Sequence, residues 1–306
     1  MENHDVIIIG GGPAGYTAGI YSGRARRDVI LFEGMPGGQA ATTDLIDNYP
    51  GFPEGVSGGD LMDKFKQQAY KFGLNIVDGL VDTIRVEGEK KIVTVLGKEY
   101  SAKVIIIATG ADANKLGVSG EDEFRGRGVS YCATCDGAFF RDVPIVVVGG
   151  GDSAVKEALY LTNFGSKVYI VHRRDQLRAE KVTQEIAFKN EKIELVLDSV
   201  VEEIVGNKLG VTHVVSKNVK TGEKKQIDTE GVFIYVGTTP NTGFLKGIID
   251  LDETGYIMAN EKMETSVPGI YAVGDCRGKI LYQVSTAVGD GATAAFASEE
   301  YLEGIK

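Results

Sequence analysis

The chain has 306 residues, 43% of them hydrophobic and 25% charged, and a formal net charge of −10 with a pI near 5.0. A chain of this length exceeds the size at which one core keeps growing, so two domains are expected. So acidic a balance excludes the basic face that nucleic acid requires, and no run approaches the roughly 18 apolar residues of a membrane span.

Residues 1–5 carry neither the basic start nor the cleavage site of a signal peptide, so cytoplasmic residence is expected. A β-branched run at 6–9 then enters Gly10, Gly11, Gly12, Pro13, Ala14 and Gly15 and a helix-like stretch. A strand, turn and helix of this kind binds a dinucleotide. One glycine makes the tight turn, the next lets backbone approach a pyrophosphate, and the third small residue lets helix pack on strand. The second strand, 29–32, ends at Glu33, 21 residues after Gly12, where a carboxylate accepts a hydrogen bond from the ribose of an unphosphorylated adenosine. Residues 92–95 and 104–107 read as a hairpin or small sheet returning to a buried strand. The first unit closes at Ala108, Thr109 and Gly110, and 111–120 is loop-like.

Cys132 and Cys135 come next, followed at once by Asp136, in a chain whose one other cysteine is Cys276. Cys-x-x-Cys spacing holds two sulfurs close enough to close a small disulfide, and such a pair exchanges electrons by thiolate attack. The histidines are His4, His172 and His213, with no second Cys-x-x-Cys, so no ligand set completes a tetrahedral zinc. Redox chemistry is the expectation, more so because a cytoplasmic compartment keeps thiols reduced unless they are catalytic. A buried pair that only packs is the alternative.

The nucleotide turn then recurs at an offset of 139 residues: 146–148 run into Gly149, Gly150, Gly151, Asp152, Ser153 and Ala154, with a second strand at 168–171. Where the first copy has Glu33, the second has His172, then Arg173 and Arg174, with Arg178 a turn later. Guanidinium forks suit a 2′-phosphate that an acid would repel, so this copy is expected to prefer NADPH over NADH. A hydride donor and a disulfide acceptor need a carrier between them, which points to FAD in the first copy. Residues 232–236 read as a strand, 238–243 as a second linker, 269–273 as a strand and 285–302 as an Ala-rich helix; the segment from about 244 is too short to bury a core of its own.

The expected fold class is α/β, with two Rossmann-like, three-layer ββα dinucleotide-binding domains, the second inserted into the first. Residues 1–113 and 242–306 form the expected FAD-binding domain, and 114–241 the NADPH-binding domain with the dithiol.

With these residues in hand, the chain resembles the low-molecular-weight, bacterial-type thioredoxin reductases, pyridine nucleotide-disulfide oxidoreductases, over essentially all 306 residues. The resemblance rests on the two glycine turns, Gly37-Gly38-Gln39, Asn48-Tyr49-Pro50-Gly51, Ala108-Thr109-Gly110, the run from Cys132 to Gly137, the His172-Arg173-Arg174 cluster, Gly274-Asp275-Cys276 and Gln283-Val284. It implies that Gly38, Gln39 and Asn48 line the flavin site, that Asp275 contacts the ribitol, and that Gln283 and Val284 start a helix aimed at the flavin ring. Ala41 and Tyr282 stand where relatives of this type often carry a polar or charged residue. The resemblance further implies Cys135 as the flavin-facing sulfur, Cys132 as the nucleophile toward thioredoxin, Asp136 as the proton carrier, and a homodimer. The inserted domain is expected to turn about 111–117 and 238–243, because nicotinamide and dithiol both need one flavin. The alternative partner is another dithiol protein, glutaredoxin-like or from a peroxidase system. A further alternative is a redox-sensing protein that binds both nucleotides without turnover.

Overall fold

The computed structural model describes residues 1–43 and 45–304. The chain divides into two compact units, Met1–Asp112 with Thr239–Lys306, and Ala113–Thr238.

In the first unit, β1 (Glu2–Ile9), α1 (Pro13–Arg24), β2 (Val29–Glu33), α2 (Gly58–Lys71) and β3 (Asn75–Asp78) are followed by β4 (Val81–Glu87), β5 (Lys90–Val95) and β6 (Lys98–Ile107). Strand β1 lies parallel to both β2 and β6, with Val6 opposite Val29 and Val104. Val6 and Ile8 enter one core cluster while Ile7 and Ile9 enter another. Both faces of the strand are therefore buried, which is why its sequence is an unbroken apolar run. The hairpin expected at 92–107 is β5 and β6, antiparallel, with β4 antiparallel on the far side of β5. A short strand, β7 (Ala111–Ala113), follows.

In the second unit, β8 (Val129–Ser130), α3 (Ala133–Asp136), β9 (Pro144–Gly149), α4 (Asp152–Leu161), β10 (Lys167–Val171), α5 (Lys181–Lys189) and β11 (Ile193–Val196) precede β12 (Ser199–Asn207), β13 (Gly210–Asn218), β14 (Lys224–Asp228) and β15 (Gly231–Tyr235). A parallel sheet runs in the order β11-β10-β9-β15-β8. Strands β12, β13 and β14 form a separate antiparallel sheet that the sequence reading did not single out.

Where the chain leaves the second unit, β16 (Thr238–Pro240) pairs with β7. The sequence reads these two crossings as loop and linker. Instead they satisfy each other's backbone groups as strands, the least costly arrangement for two adjacent extended segments. The chain then adds β17 (Ile270–Ala272), parallel to β6, and α6 (Val284–Gly304). A Cβ at Gly291 of α6 would stand 2.3 Å from the Ala14 carbonyl oxygen, so α6 reaches α1 only because this position has no side chain. Among the described residues, no helix is long and apolar enough to cross a membrane.

Candidate active site

Each unit carries one glycine turn at the carboxyl ends of its parallel strands, the place where open α/β sheets bind nucleotides. In the first, Gly10 takes φ +115°, and a Cβ on it would lie 2.2 Å from the Ala108 carbonyl oxygen. At Gly15 a Cβ would meet the Gly10 carbonyl oxygen, so α1 packs directly on the turn. Gly12, the N-cap of α1, faces open space. Backbone N–H groups at a helix start, with room in front of them, fit a pyrophosphate.

Glu33 ends β2 with a fully buried side chain. Its Oε2 accepts from the Tyr16 hydroxyl at 2.7 Å, and its Oε1 accepts from Lys66 Nζ at 2.6 Å. Tyr16 in turn accepts from the Gly37 N–H at 3.2 Å, so one chain of polar groups joins α2, the end of β2 and the 37–39 segment. Neither Tyr16 nor Lys66 was singled out by the sequence reading. Tyr16 lies one helical turn past Gly12, facing the strand end, which is the only sequence signal it gives. Beside Glu33 an open cleft of about 580 Å³ is lined by Gly34, Pro36, Asp78, Gly79 and Leu80 among others, a volume suited to a small-molecule moiety.

The other residues that the resemblance assigns to the flavin fall in the same unit. Asn48 Nδ2 donates to Gln283 Oε1 at 3.0 Å, bringing two of them together across 235 residues. Gln39 Nε2 donates to Asp112 Oδ1 at 2.6 Å. Gly38 packs its Cα side against Gly12, and Gly110 takes φ +68° with its carbonyl accepting from the Asn241 N–H at 3.0 Å. Asp275 Oδ1 is buried and sits 3.3 Å from Lys279 Nζ as an ion pair. Val284 is the first residue of α6. The open glycine cradle fits FAD.

The second turn repeats the first with other chemistry. Gly149 has φ +150°, a Cβ on it would press on Ala154 and on the Tyr235 carbonyl oxygen, and Gly151 faces open space at the start of α4. His172 stands where Glu33 stands in the first copy: a Cβ at Gly11 would strike the Glu33 carboxylate, and one at Gly150 would strike the His172 ring. The ring is buried, and its Nε2 has no hydrogen-bond partner. Burial, with Arg178, Arg174 and Arg173 adding repulsion, pushes its pKa below the ordinary value. Arg173, Arg174 and Arg178 are exposed, and among the described residues no carboxylate engages their guanidinium groups. The Arg178 N–H donates to the Gly150 carbonyl at 2.6 Å, which folds this basic loop back over the turn. Open glycine and free guanidinium groups fit NADPH.

Cys132 and Cys135 are joined in a disulfide with Cα atoms 5.3 Å apart. Cys132 is the N-cap of α3, and both sulfurs belong to residues of intermediate exposure. The loop is held by hydroxyls that the sequence reading missed. Ser130 accepts from the Cys132 N–H at 3.0 Å and donates to Asp136 Oδ2 at 2.6 Å, linking the acid to the backbone of the first cysteine. Tyr235 accepts from the Ala133 N–H at 2.6 Å. Burial, reinforced by Glu157, raises the Tyr235 hydroxyl far above the ordinary phenol range, so it stays protonated. Tyr131 donates to Glu121 at 2.6 Å. Cys276 is fully buried, its Sγ 3.2 Å from the Val273 carbonyl oxygen.

The family described as Pyridine nucleotide-disulphide oxidoreductase matches residues 4–291. A thioredoxin reductase of Listeria innocua is 48% identical over 304 residues, covering 99% of this chain and 95% of that one. A thioredoxin reductase of Streptococcus pyogenes, solved as a crystal structure, is 50% identical, covers 99% of both chains and superposes with a TM-score of 0.94. The Lactococcus lactis thioredoxin reductase in the FR conformation is 48% identical over 98% of this chain and 99% of that one, with a TM-score of 0.67.

Proposed function

This chain belongs to the pyridine nucleotide-disulphide oxidoreductases, and we propose that it reduces the disulfide of thioredoxin with NADPH as electron source and FAD as carrier. The observation that carries this reading is one pairing: a Cys-x-x-Cys bridge shares a unit with a guanidinium-rimmed nucleotide turn, while an acid-bearing turn stands in the other unit. The unit Met1–Asp112 with Thr239–Lys306 is the proposed FAD site, and Ala113–Thr238 the NADPH site. When bound, the two groups supply a hydride donor and a carrier that hands an electron pair to a disulfide.

The chain's own residues do the rest. With the bridge open, Cys132 as thiolate attacks one sulfur of the thioredoxin disulfide, whose other sulfur leaves as a thiolate. Cys135 then attacks Cys132 Sγ, closes the bridge and releases thioredoxin as a dithiol. Asp136, held by Ser130, carries the proton that the leaving sulfur takes. Arg173, Arg174 and Arg178 bind the 2′-phosphate, and Glu33 marks the ribose end of the other nucleotide.

The dithiol unit turns about the paired crossings β7 and β16. Only two chain segments join the units, and nicotinamide and dithiol both need one flavin. Cytoplasmic residence and a homodimer complete the proposal. Thioredoxin-dependent NADPH oxidation by the purified flavoprotein tests it. Turnover is expected, and Cys135→Ser is expected to stop it. Normal turnover in that variant would refute the sulfur assignment.

A further inference from the structure

Glu121 has no role in the reaction as described, yet it is one of the most enclosed acids in the molecule, with 2% of its surface exposed. Its carboxylate accepts three hydrogen bonds. Leu116 N–H reaches Oε1 at 2.8 Å, Gly117 N–H reaches Oε2 at 2.6 Å, and the Tyr131 hydroxyl reaches Oε1 at 2.6 Å. The preceding turn is fixed by Gly120, at φ +85°, where a Cβ would run into the Ile204 carbonyl oxygen. Burying an acid is costly unless donors surround it, and here the donors come from two places. Leu116 and Gly117 belong to the segment that enters the unit just after β7. Tyr131 immediately precedes Cys132, in a stretch that meets the sheet through the two residues of β8 and, past Cys132, through the Ala133 N–H on Tyr235.

We propose that Glu121 and Tyr131 are positioning residues for the dithiol: one buried carboxylate ties the redox loop to the entering segment, and this tether biases Cys132 and Cys135 toward their bridged form. The inference rests on the redox reading of the pair. The physical ground is preorganisation. Closing the bridge turns two thiols into one S–S bond and gives two electrons and two protons to an oxidant, here a second disulfide that becomes two thiols. A loop already fixed at Tyr131 has less freedom to lose when the sulfurs meet, so closure is favoured. Burial, helped by Glu121, pushes the Tyr131 hydroxyl well above the ordinary phenol range, so the donor persists at any physiological pH.

The test is the bridge equilibrium of the flavoprotein in buffers of reduced and oxidised dithiothreitol, read by thiol alkylation and mass without any nucleotide substrate. Tyr131→Phe, which keeps the ring and removes the donor, is expected to shift the equilibrium toward the dithiol by about fivefold, with FAD content near that of the parent and a lower thermal midpoint, because a buried carboxylate loses one of its donors. A shift under about twofold, or one toward the bridge, overturns the proposal. Glu121→Gln supplies the second arm. If the two residues act as one tether, Tyr131→Phe made in that background shifts the equilibrium by less than it does alone; a full shift there also overturns it. Failure of the redox reading itself looks different: no variant, nor the parent, would show a bridge that opens and closes reversibly in these buffers.

Discussion

The two glycine turns share one backbone and differ in what the second glycine leans on. At Gly11 the neighbour is Glu33, buried and held from both sides by Tyr16 and Lys66. At Gly150 it is His172, buried with Nε2 unpartnered and three arginines around it. The first turn is thus stiffened by a satisfied network, and the second is left with spare charge at its rim. A duplicated scaffold acquires two ligand preferences through the residue at one position and the groups that hold it, with the glycines unchanged.

The largest expected effect tests the stiffness. Gly11→Ala drives a methyl group into a carboxylate that two donors hold in place, and should destabilise its unit by about 3 kcal/mol. Gly150→Ala meets an imidazole whose Nε2 no partner holds, and should cost about 1–2 kcal/mol. Gly12→Ala and Gly151→Ala, which face open space, should leave thermal unfolding of the nucleotide-free protein unchanged and weaken only cofactor binding. Equal losses at Gly11 and Gly150 would remove the contrast.

Next is the rim. Replacing Arg173 and Arg174 by serine should lower the preference for NADPH over NADH by about 100-fold, the loss of charge-assisted bonds to a phosphate, measured as the ratio of kcat/KM values. An unchanged ratio would place the 2′-phosphate elsewhere. Smaller again is Tyr16→Phe, which strips one of two donors from a buried carboxylate and should cost about 2 kcal/mol of stability, with looser FAD retention on dialysis. The equivalent change in the second copy, His172→Gln, should cost less, because the ring Nε2 has no partner to lose.

The smallest effect depends on pH. The folded His172 pKa lies below its unfolded value of about 6.5, so the unfolded chain binds the extra proton first. Stability is complete above about pH 6.5 and falls as pH drops toward the folded pKa, by at most about 1.4 kcal/mol per pH unit. The urea midpoint of the second unit should therefore fall between pH 7.5 and 5.5, and fall less in His172→Gln. An identical acid response in both proteins would show that the ring titrates freely.

The sequence made the turns legible because glycine spacing and buried parallel strands both leave local marks: unbroken apolar runs at 6–9 and 146–148, and small residues at fixed offsets. The register of Glu33 with His172 was legible for the same reason. What holds those residues was not. Lys66 reaches Glu33 across 33 residues, Tyr235 reaches Ala133 across 102, and Asn48 meets Gln283 across 235; no periodicity encodes such pairs, and a tyrosine in a strand reads simply as core. The crossings at β7 and β16 escaped for another reason. Each is too short to show alternation, and becomes a strand only because the other lies beside it.

Cys276 has one more consequence. It has no exposed surface, and burial raises its thiol pKa above the ordinary value, which denies it the thiolate that electrophiles need. Of the three cysteine thiols in the chain, a reduced native molecule should offer only two to a maleimide, and the third should label only when β6 and β17 come apart. The molecule thereby carries its own unfolding clock: the slow arrival of a third adduct times the opening of the first unit, undisturbed by the chemistry at its surface.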